Sequence, residues 1–127
     1  MSVSPSIIPL LDTVIKEGGS DLHLSVGSHP IIRVSGSLVP LVQHPILKSE
    51  DTQSMLKEIL AKEKWETFAK DQAVDFSYAH NDNNRFRVNG YVVQGSVTVA
   101  MRLIPKQIRS FTSLNLPTVL EVFIQRI

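Results

Sequence analysis

Two arginines, Arg87 and Arg102, have the residue type and the spacing that could do chemistry in this sequence. The stretch from 85 to 105 is rich in β-branched and aromatic residues, which favour strands, and Gln94-Gly95 near its middle favours a tight turn. If those two residues form the turn, Arg87 lies directly opposite Arg102 on one face of the hairpin. Opposed Cβ atoms are about 5 Å apart, and like charges at that distance are destabilising. The pair therefore predicts a bound anion, and phosphate suits the planar, permanently charged guanidinium.

The same two arginines have a second interpretation. Exposed arginine is common, so both could be solvated side chains near the edge of a sheet with carboxylates close by. Asp75, on an earlier predicted strand, is a candidate partner for one of them. The register is also conditional, because a three-residue turn or a bulge would shift the pairing by one residue. The residues alone leave both phosphate binding and surface ion pairing open.

Asp21 and His23 form the other polar pair with a possible catalytic meaning. They alternate with Leu22, Leu24 and Val26, so both lie on one face of a predicted strand. No nucleophile lies within this motif, and the pattern therefore favours a structural or hydrogen-bonding role. His29, His44 and His80 are scattered along the chain and do not have the spacing of metal ligands.

Composition excludes several classes of protein. The chain has 127 residues, 43% hydrophobic and 20% charged, which is typical of a single soluble globular domain. A net charge of +1 gives no general attraction to nucleic acid. Cysteine is absent, which excludes disulfides and thiolate metal sites. No apolar run approaches the roughly 18 residues of a membrane span, and the first residues lack the pattern of a secretory signal.

Hydrophobic periodicity predicts the elements that would position these residues. A helix is expected within 1–19, followed by three short antiparallel strands within 20–42. Pro40 fits an edge strand or the end of a strand, because proline cannot donate to a sheet ladder. The period changes to helical within 43–71, with Ser49 as the expected N-cap of the first of two helical pieces.

The second half of the sequence returns to strands. Val74, Phe76 and Tyr78 alternate with polar residues and precede the arginine hairpin. A last helix is expected to begin at Leu116-Pro117. Antiparallel strands in two runs, with helices to one side, predict an α+β domain.

The motifs then carry a resemblance to a known family. The chain resembles the N-terminal domain of the PilT family of twitching-motility ATPases, the retraction motors of type IV pili in the secretion-ATPase superfamily. The resemblance extends from about residue 6 to residue 127 and rests on the order and spacing of six short motifs. These are Ser-Asp-Leu-His-Leu at 20–24, Ile-Arg-Val-Ser-Gly at 32–36, Val-Asp-Phe-Ser-Tyr at 74–78, Arg-Phe-Arg-Val-Asn at 85–89, Ala-Met-Arg-Leu-Ile-Pro at 100–105 and Leu-Asn-Leu-Pro at 114–117.

The resemblance implies a fold and a role for the arginines. It implies a PAS-like domain at 1–115, with an antiparallel sheet of about six strands flanked by helices. Residues 116–127 would be a linker or first helix toward a missing RecA-like ATPase domain. In that family six subunits form a ring, and arginines of this domain reach the phosphates of ATP bound to the ATPase domain. By motif position these are Arg87 and Arg102, with Arg85 as a weaker third.

The resemblance also implies partners and cofactors. ATP and Mg²⁺ are expected in the full-length parent, and none is expected for this fragment alone. The implied protein partners are its own C-terminal RecA-like ATPase domain, neighbouring subunits of a homohexamer and the platform protein of the pilus in the inner membrane. No nucleic acid is implied. The parent would be cytoplasmic and peripheral to the inner membrane.

One departure from the family concerns catalysis. The sequence contains no Gly-x-x-x-x-Gly-Lys-Ser/Thr loop and no acidic Walker B strand. Without a phosphate-cradling loop and a magnesium site, this chain is not expected to hydrolyse ATP alone. We expect no catalytic residue and no metal ligand in the isolated chain, which we interpret as a domain or fragment of a longer ATPase.

Three other interpretations stay open. The chain could be the same domain of a pilus-assembly or type II secretion ATPase, although those usually carry further N-terminal domains. It could be a stand-alone PAS-like module that binds a small ligand, which would need an apolar cavity with a few polar groups. It could be a self-contained enzyme using Asp21 and His23, although the sequence provides this pair with neither a nucleophile nor a set of metal ligands.

Overall fold

Three α-helices, a short 3₁₀ helix and six β-strands are formed within residues 6–104, the part of the chain that the computed structural model describes. In chain order the elements are α1 (Ile8–Lys16), β1 (Asp21–Leu24), β2 (Ile31–Val34), β3 (Ser37–Pro40), α2 (Ser49–Ile59), the 3₁₀ helix (Lys62–Lys64), α3 (Trp65–Asp71), β4 (Ala73–Ala79), β5 (Arg85–Val93) and β6 (Ser96–Ile104).

The six strands form one open sheet in the order β3–β2–β1–β6–β5–β4, and every neighbouring pair is antiparallel. The sheet consists of two meanders, β1 to β3 and β4 to β6, which meet where β1 pairs with β6. Helices α2 and α3 connect the two meanders along the chain. The predicted α+β, PAS-like fold class with six antiparallel strands is therefore confirmed. Pro40 lies on the edge strand β3, as its missing N–H predicts.

The hairpin of β5 and β6 has the predicted two-residue turn. Gln94 and Gly95 have φ angles of 51° and 81°, and two consecutive positive φ angles give the primed turn whose twist matches the flanking strands. Val93 consequently pairs with Ser96, and the same register places Arg87 opposite Arg102. The pairing predicted from the sequence is confirmed.

One face of the sheet packs against the helices and forms the hydrophobic core. Phe86 and Val88 of β5 and Leu22 of β1 point into this core and are fully buried. A Cβ on Gly90 would lie 2.9 Å from Leu56 Cδ2, so α2 packs directly on the backbone of β5. The buried helical side chains of this core are Leu10, Leu11, Val14, Met55, Leu56, Ile59 and Phe68. Because strand side chains alternate, the residues between the buried strand positions all lie on the opposite face.

Two local predictions differ from the structure. The N-cap of α2 is Lys48 and not Ser49, because the Asp51 carboxylate accepts a hydrogen bond from the Lys48 backbone N–H at 2.9 Å. Strand β1 ends at Leu24, so Val26 does not continue the predicted alternation and is exposed. The chain turns there through Gly27, whose N–H donates to Leu47 O at 2.9 Å. The helix expected from 116 lies outside the described residues, as does the predicted domain segment 116–127.

Candidate functional site

The face of the sheet that the helices within residues 6–104 leave uncovered carries a line of charged side chains. Strand register places Arg33 of β2, Asp21 of β1, Arg102 of β6 and Arg87 of β5 side by side. We call these four residues the charged row. Asp75 of β4 lies on the same face, one pair of residues further along, and is opposite Asn89. Strand pairing therefore brings three arginines and two carboxylates from distant parts of the sequence onto one face of the sheet.

Asp21 is the buried centre of the charged row, with only 7% of its surface exposed. Its Oδ2 accepts a hydrogen bond from Arg102 Nε at 3.2 Å, and its Oδ1 accepts one from Ser20 Oγ at 2.6 Å. Arg33 Nε lies 4.0 Å from Oδ1. Burial is the largest single influence and raises the pKa of Asp21. The hydrogen bonds from Ser20 and Arg102 and the charges of Arg102 and His23 together outweigh it, so the pKa lies below its ordinary value.

Arg87 and Asp75 form a separate, exposed ion pair. Arg87 donates from Nε to Asp75 Oδ1 at 3.2 Å and from Nη2 to Oδ2 at 3.0 Å, which is the bidentate geometry of a guanidinium and a carboxylate. The hydrogen bond from Arg87 lowers the pKa of Asp75, and the same bond raises the pKa of Arg87. The side chains are 66% and 52% exposed, so solvent screens the pair.

Arg102 is held differently from Arg87. It bonds to Asp21 through Nε alone, and its side chain is 72% exposed. Within residues 6–104, neither of its terminal nitrogens donates a hydrogen bond to the protein. The two Nη groups of a guanidinium form the fork that binds two oxygens of one phosphate. Arg102 therefore presents a complete anion-binding fork while its stem is fixed.

The predicted arginine pair comes together, and the third arginine lies beside it. Arg87 and Arg102 line one side of a shallow depression of about 680 Å³, with Asp21, His23 and Asn89 also at its wall. Arg85 lies on the same face as Arg87, two residues along β5 and opposite Ile104. Arg85 does not line the depression in the described part of the chain.

The predicted ion-pair partner Asp75 is present, but the partner of Arg102 was missed. The sequence singled out Asp21 beside His23 and favoured a structural or hydrogen-bonding role for the pair. The structure assigns that role to Asp21, which fixes Arg102. The sequence does show an aspartate on a predicted strand. Recognising Arg102 as its partner required knowing that β1 pairs with β6, which places the two residues opposite each other. Among residues 6–104, no group of three His, Cys, Asp or Glu side chains could hold a metal ion.

A second depression of about 700 Å³ lies at the junction of α2 and α3 and was not predicted. Lys57, Leu60, Trp65 and Ala69 are among its lining residues. Lys57 Nζ lies 5.1 Å from the centre of the Trp65 ring, a cation–π contact across the opening. The ammonium of Lys57 thus occupies one face of the Trp65 ring.

Replacing Asp21 by asparagine is expected to change the acid unfolding of the domain. Its folded pKa lies below the ordinary value of 3.8, so the unfolded chain takes up a proton first as the pH falls. The stabilisation by Asp21 is therefore complete above about pH 4 to 5, decreases as the pH falls through the ordinary value, and is lost below the folded pKa. Urea unfolding at about pH 6 and about pH 3 should show a smaller difference for Asp21→Asn than for the wild type.

Asp71→Asn provides the matched control for that measurement. Asp71 ends α3 on the helical side of the sheet and is exposed. Its removal should leave the difference between the two pH values at the wild-type size. If Asp21→Asn and the wild type lose stability in parallel on acidification, the hydrogen bonds from Arg102 and Ser20 do not lower the pKa of Asp21 in the folded protein.

Comparison with known proteins shows which proteins this chain is similar to. No protein-family model matches the chain. It is 28% identical over 112 residues to the type IV pilus ATPase PilU of Pseudomonas aeruginosa, covering 88% of this chain and 29% of that protein. It is 31% identical over 110 residues to the type IV pilus retraction ATPase PilT of the same organism, covering 87% of this chain and 32% of that protein. The chain is homologous to the N-terminal domain of PilT-type ATPases.

Solved structures agree with the PilT relationship. The crystal structure of the pilus retraction motor PilT with bound ADP superposes with a TM-score of 0.77 at 32% identity, covering 90% of this chain and 33% of that one. The ATPase DotB of Legionella pneumophila superposes with a TM-score of 0.67 at 20% identity, covering 92% of this chain and 35% of DotB, and shares the fold. The chain spans about a third of the length of the curated PilT and PilU relatives. In residues 6–104, no helix is long and apolar enough to cross a membrane.

Proposed function

We propose that this chain is the N-terminal regulatory and oligomerisation domain of a hexameric ATPase that powers type IV pilus retraction. The observation that carries the proposal is the free fork of Arg102 beside Arg87 on the uncovered sheet face of a domain homologous to PilT. In the proposal, Arg102 and Arg87 bind phosphate oxygens of ATP held by a RecA-like ATPase domain, and Arg85 is a weaker third contact.

The chemistry of these arginines follows from the charge of phosphoryl transfer. Negative charge spreads over the oxygens of the transferred phosphoryl group, and a fixed guanidinium offsets it without reorganisation. Arg102 is suited to this because Asp21 already fixes its stem. Contact with the γ-phosphate would also couple hydrolysis to a rotation between domains, because the contact ends when that phosphate leaves.

The remaining parts of the site belong to the proposed parent. The proposal assigns Mg²⁺ and the phosphate-cradling loop to the RecA-like domain, because this sequence contains no Gly-x-x-x-x-Gly-Lys-Ser/Thr loop. The proposed partners are that domain, neighbouring subunits of a homohexamer and the inner-membrane platform protein of the pilus. The proposed location is the cytoplasmic side of the inner membrane, where a motor for the pilus base would act.

Deletion of the gene in the source organism tests the proposed direction of the motor. Loss of a retraction ATPase is expected to abolish twitching while surface pili remain, because assembly continues without withdrawal. Restoring the full-length gene should restore twitching. Loss of surface pili instead would favour the assembly ATPase, and a wild-type phenotype on both counts would contradict a pilus motor. Surface pili and twitching zones are measured on the same cultures.

A further inference from the structure

We infer that the two carboxylates on the charged sheet face act on the phosphate site in opposite directions: Asp21 positions Arg102 for phosphate, whereas Asp75 competes with phosphate for Arg87. This inference rests on the proposed function, in which both arginines bind phosphate. Both aspartates carry the same charge and each bonds to one arginine of the pair. Their geometry is what separates their effects.

Asp21 has the geometry of a positioning residue. It is buried, and Ser20 Oγ holds its other oxygen at 2.6 Å, so the carboxylate is fixed before any ligand arrives. It takes only Nε of Arg102, at 3.2 Å, and leaves the terminal fork toward solvent. A phosphate can therefore bind the fork while the bond to Asp21 stays intact. Fixing a long side chain in advance lowers the entropy lost on binding.

Asp75 has the geometry of a competitor. It occupies Nε and Nη2 of Arg87 at 3.2 and 3.0 Å, which is one complete edge of the guanidinium. A phosphate that binds this edge bidentately must first displace the carboxylate. The pair is exposed on both sides, so the exchange needs no rearrangement of the core. This side edge of Arg87 therefore becomes available to a phosphate only when the phosphate outcompetes Asp75.

General electrostatics makes a different prediction, which allows a test. Removing either carboxylate makes the face more positive, and charge alone would strengthen anion binding in both cases. The inference instead predicts weaker binding without Asp21 and stronger binding without Asp75. Opposite signs for two substitutions of the same type would not follow from net charge.

The experiment is a titration of the 127-residue chain with inorganic tripolyphosphate, observed through the Nε–H signals of its arginines by NMR. Asp75→Asn is expected to lower the Kd by about threefold to fivefold, the effect of freeing an arginine from an exposed pair. Asp21→Asn is expected to raise the Kd by about fivefold, because Arg102 loses its fixed stem. In the wild type, the Arg87 signal should shift strongly and the Arg102 signal weakly, since only Arg87 changes its Nε partner.

Two further variants separate positioning from charge and from folding. Asp21→Glu keeps the charge but displaces the carboxylate, so it should also weaken binding. Asp71→Asn removes one negative charge from the helical side and should change the Kd by less than about twofold. Circular dichroism confirms that each variant is folded before titration. A lower Kd for Asp21→Asn, or an unchanged Kd for folded Asp21→Glu, would overturn the role of Asp21, and an unchanged Kd for Asp75→Asn would overturn that of Asp75.

The titration also distinguishes failure of this inference from failure of the proposed function. If Arg87→Ala and Arg102→Ala bind tripolyphosphate as the wild type does, the arginines do not contact phosphate and the proposed function fails with the inference. If both arginine variants lose binding while the two aspartate variants shift the Kd in the same direction, the phosphate site stands and the inference alone is wrong.

Discussion

Replacing Arg102 by alanine in the full-length ATPase is expected to lower steady-state turnover by about tenfold or more in rings that still assemble. The physical reason is the loss of a fixed guanidinium at developing phosphoryl charge, an interaction that acts mainly in the transition state. Arg102 is 72% exposed and fixed by Asp21 through Nε, so truncation removes the fork without disturbing the core. Arg87→Ala is expected to lower turnover as well, and Arg85→Ala to lower it less. Turnover is measured as ATP hydrolysis, and assembly by light scattering.

Arg33→Ala supplies the matched control for that series. Arg33 belongs to the same charged row but lies on the far side of Asp21, where its Nη1 donates to Gly36 O at 3.0 Å. Its removal should change turnover by less than about twofold, because the proposal gives this half-exposed arginine no contact with phosphate. Unchanged turnover for Arg87→Ala and Arg102→Ala in assembled rings would leave the pair as surface arginines bonded to Asp75 and Asp21.

Replacing Phe86 by alanine is expected to lower the free energy of unfolding by about 3 to 5 kcal/mol, the range for truncating a buried aromatic residue. Phe86 is 0% exposed and lies in the core between Arg85 and Arg87 in sequence. Its ring meets His80 edge to face, with the ring centres 6.2 Å apart. The loss combines the transfer of the ring to water with the cavity that remains. Urea unfolding followed by circular dichroism measures the change.

Val93→Ala is the control on the same strand. Val93 ends β5 and is 47% exposed, so its truncation should change the free energy of unfolding by no more than about 0.5 kcal/mol. Similar losses for the two variants would contradict the assignment of Phe86 to the core face. Because strand side chains alternate, that result would also contradict the assignment of Arg85 and Arg87 to the face opposite the core.

The arginine hairpin was predictable because its determinants are local. Gln94-Gly95 selects the turn, and the turn then fixes the register that pairs Arg87 with Arg102. The alternation around Phe86 assigns the inward and outward faces without knowledge of the rest of the fold. Asp75 was within reach of the same reasoning, because β4 pairs with β5 through a short connection.

The role of Asp21 was not predictable in the same way. Its partner Arg102 is 81 residues further along the chain, and the contact exists only because β1 lies next to β6. The sequence shows the neighbouring His23 just as clearly, and local pattern cannot choose between these partners. The resemblance to the family supplied the arginine roles but no partner for either arginine.

The difference at the start of α2 has a similar local cause. Serine at 49 is a good N-cap by residue type, yet the side chain that caps the helix is Asp51, two residues later. Its carboxylate reaches back to the N–H of Lys48, which moves the cap one residue toward the N-terminus. Residue preference identified the helix and its approximate start, whereas the hydrogen bond fixed the boundary.

The central pairing of β1 with β6 also sets the order of events during protein synthesis. β1 leaves the ribosome early, but the strand that covers its free edge is made last of the six described. Contacts between segments so far apart form slowly, because a long loop must close first. Until then Leu22 and Leu24 lack the neighbouring strand of the core sheet, and such incomplete sheets are prone to aggregate and are protected by chaperones. The contact between Asp21 and Arg102 forms in the same closing step, so Arg102 of a nascent chain is not fixed by Asp21 until β1 pairs with β6.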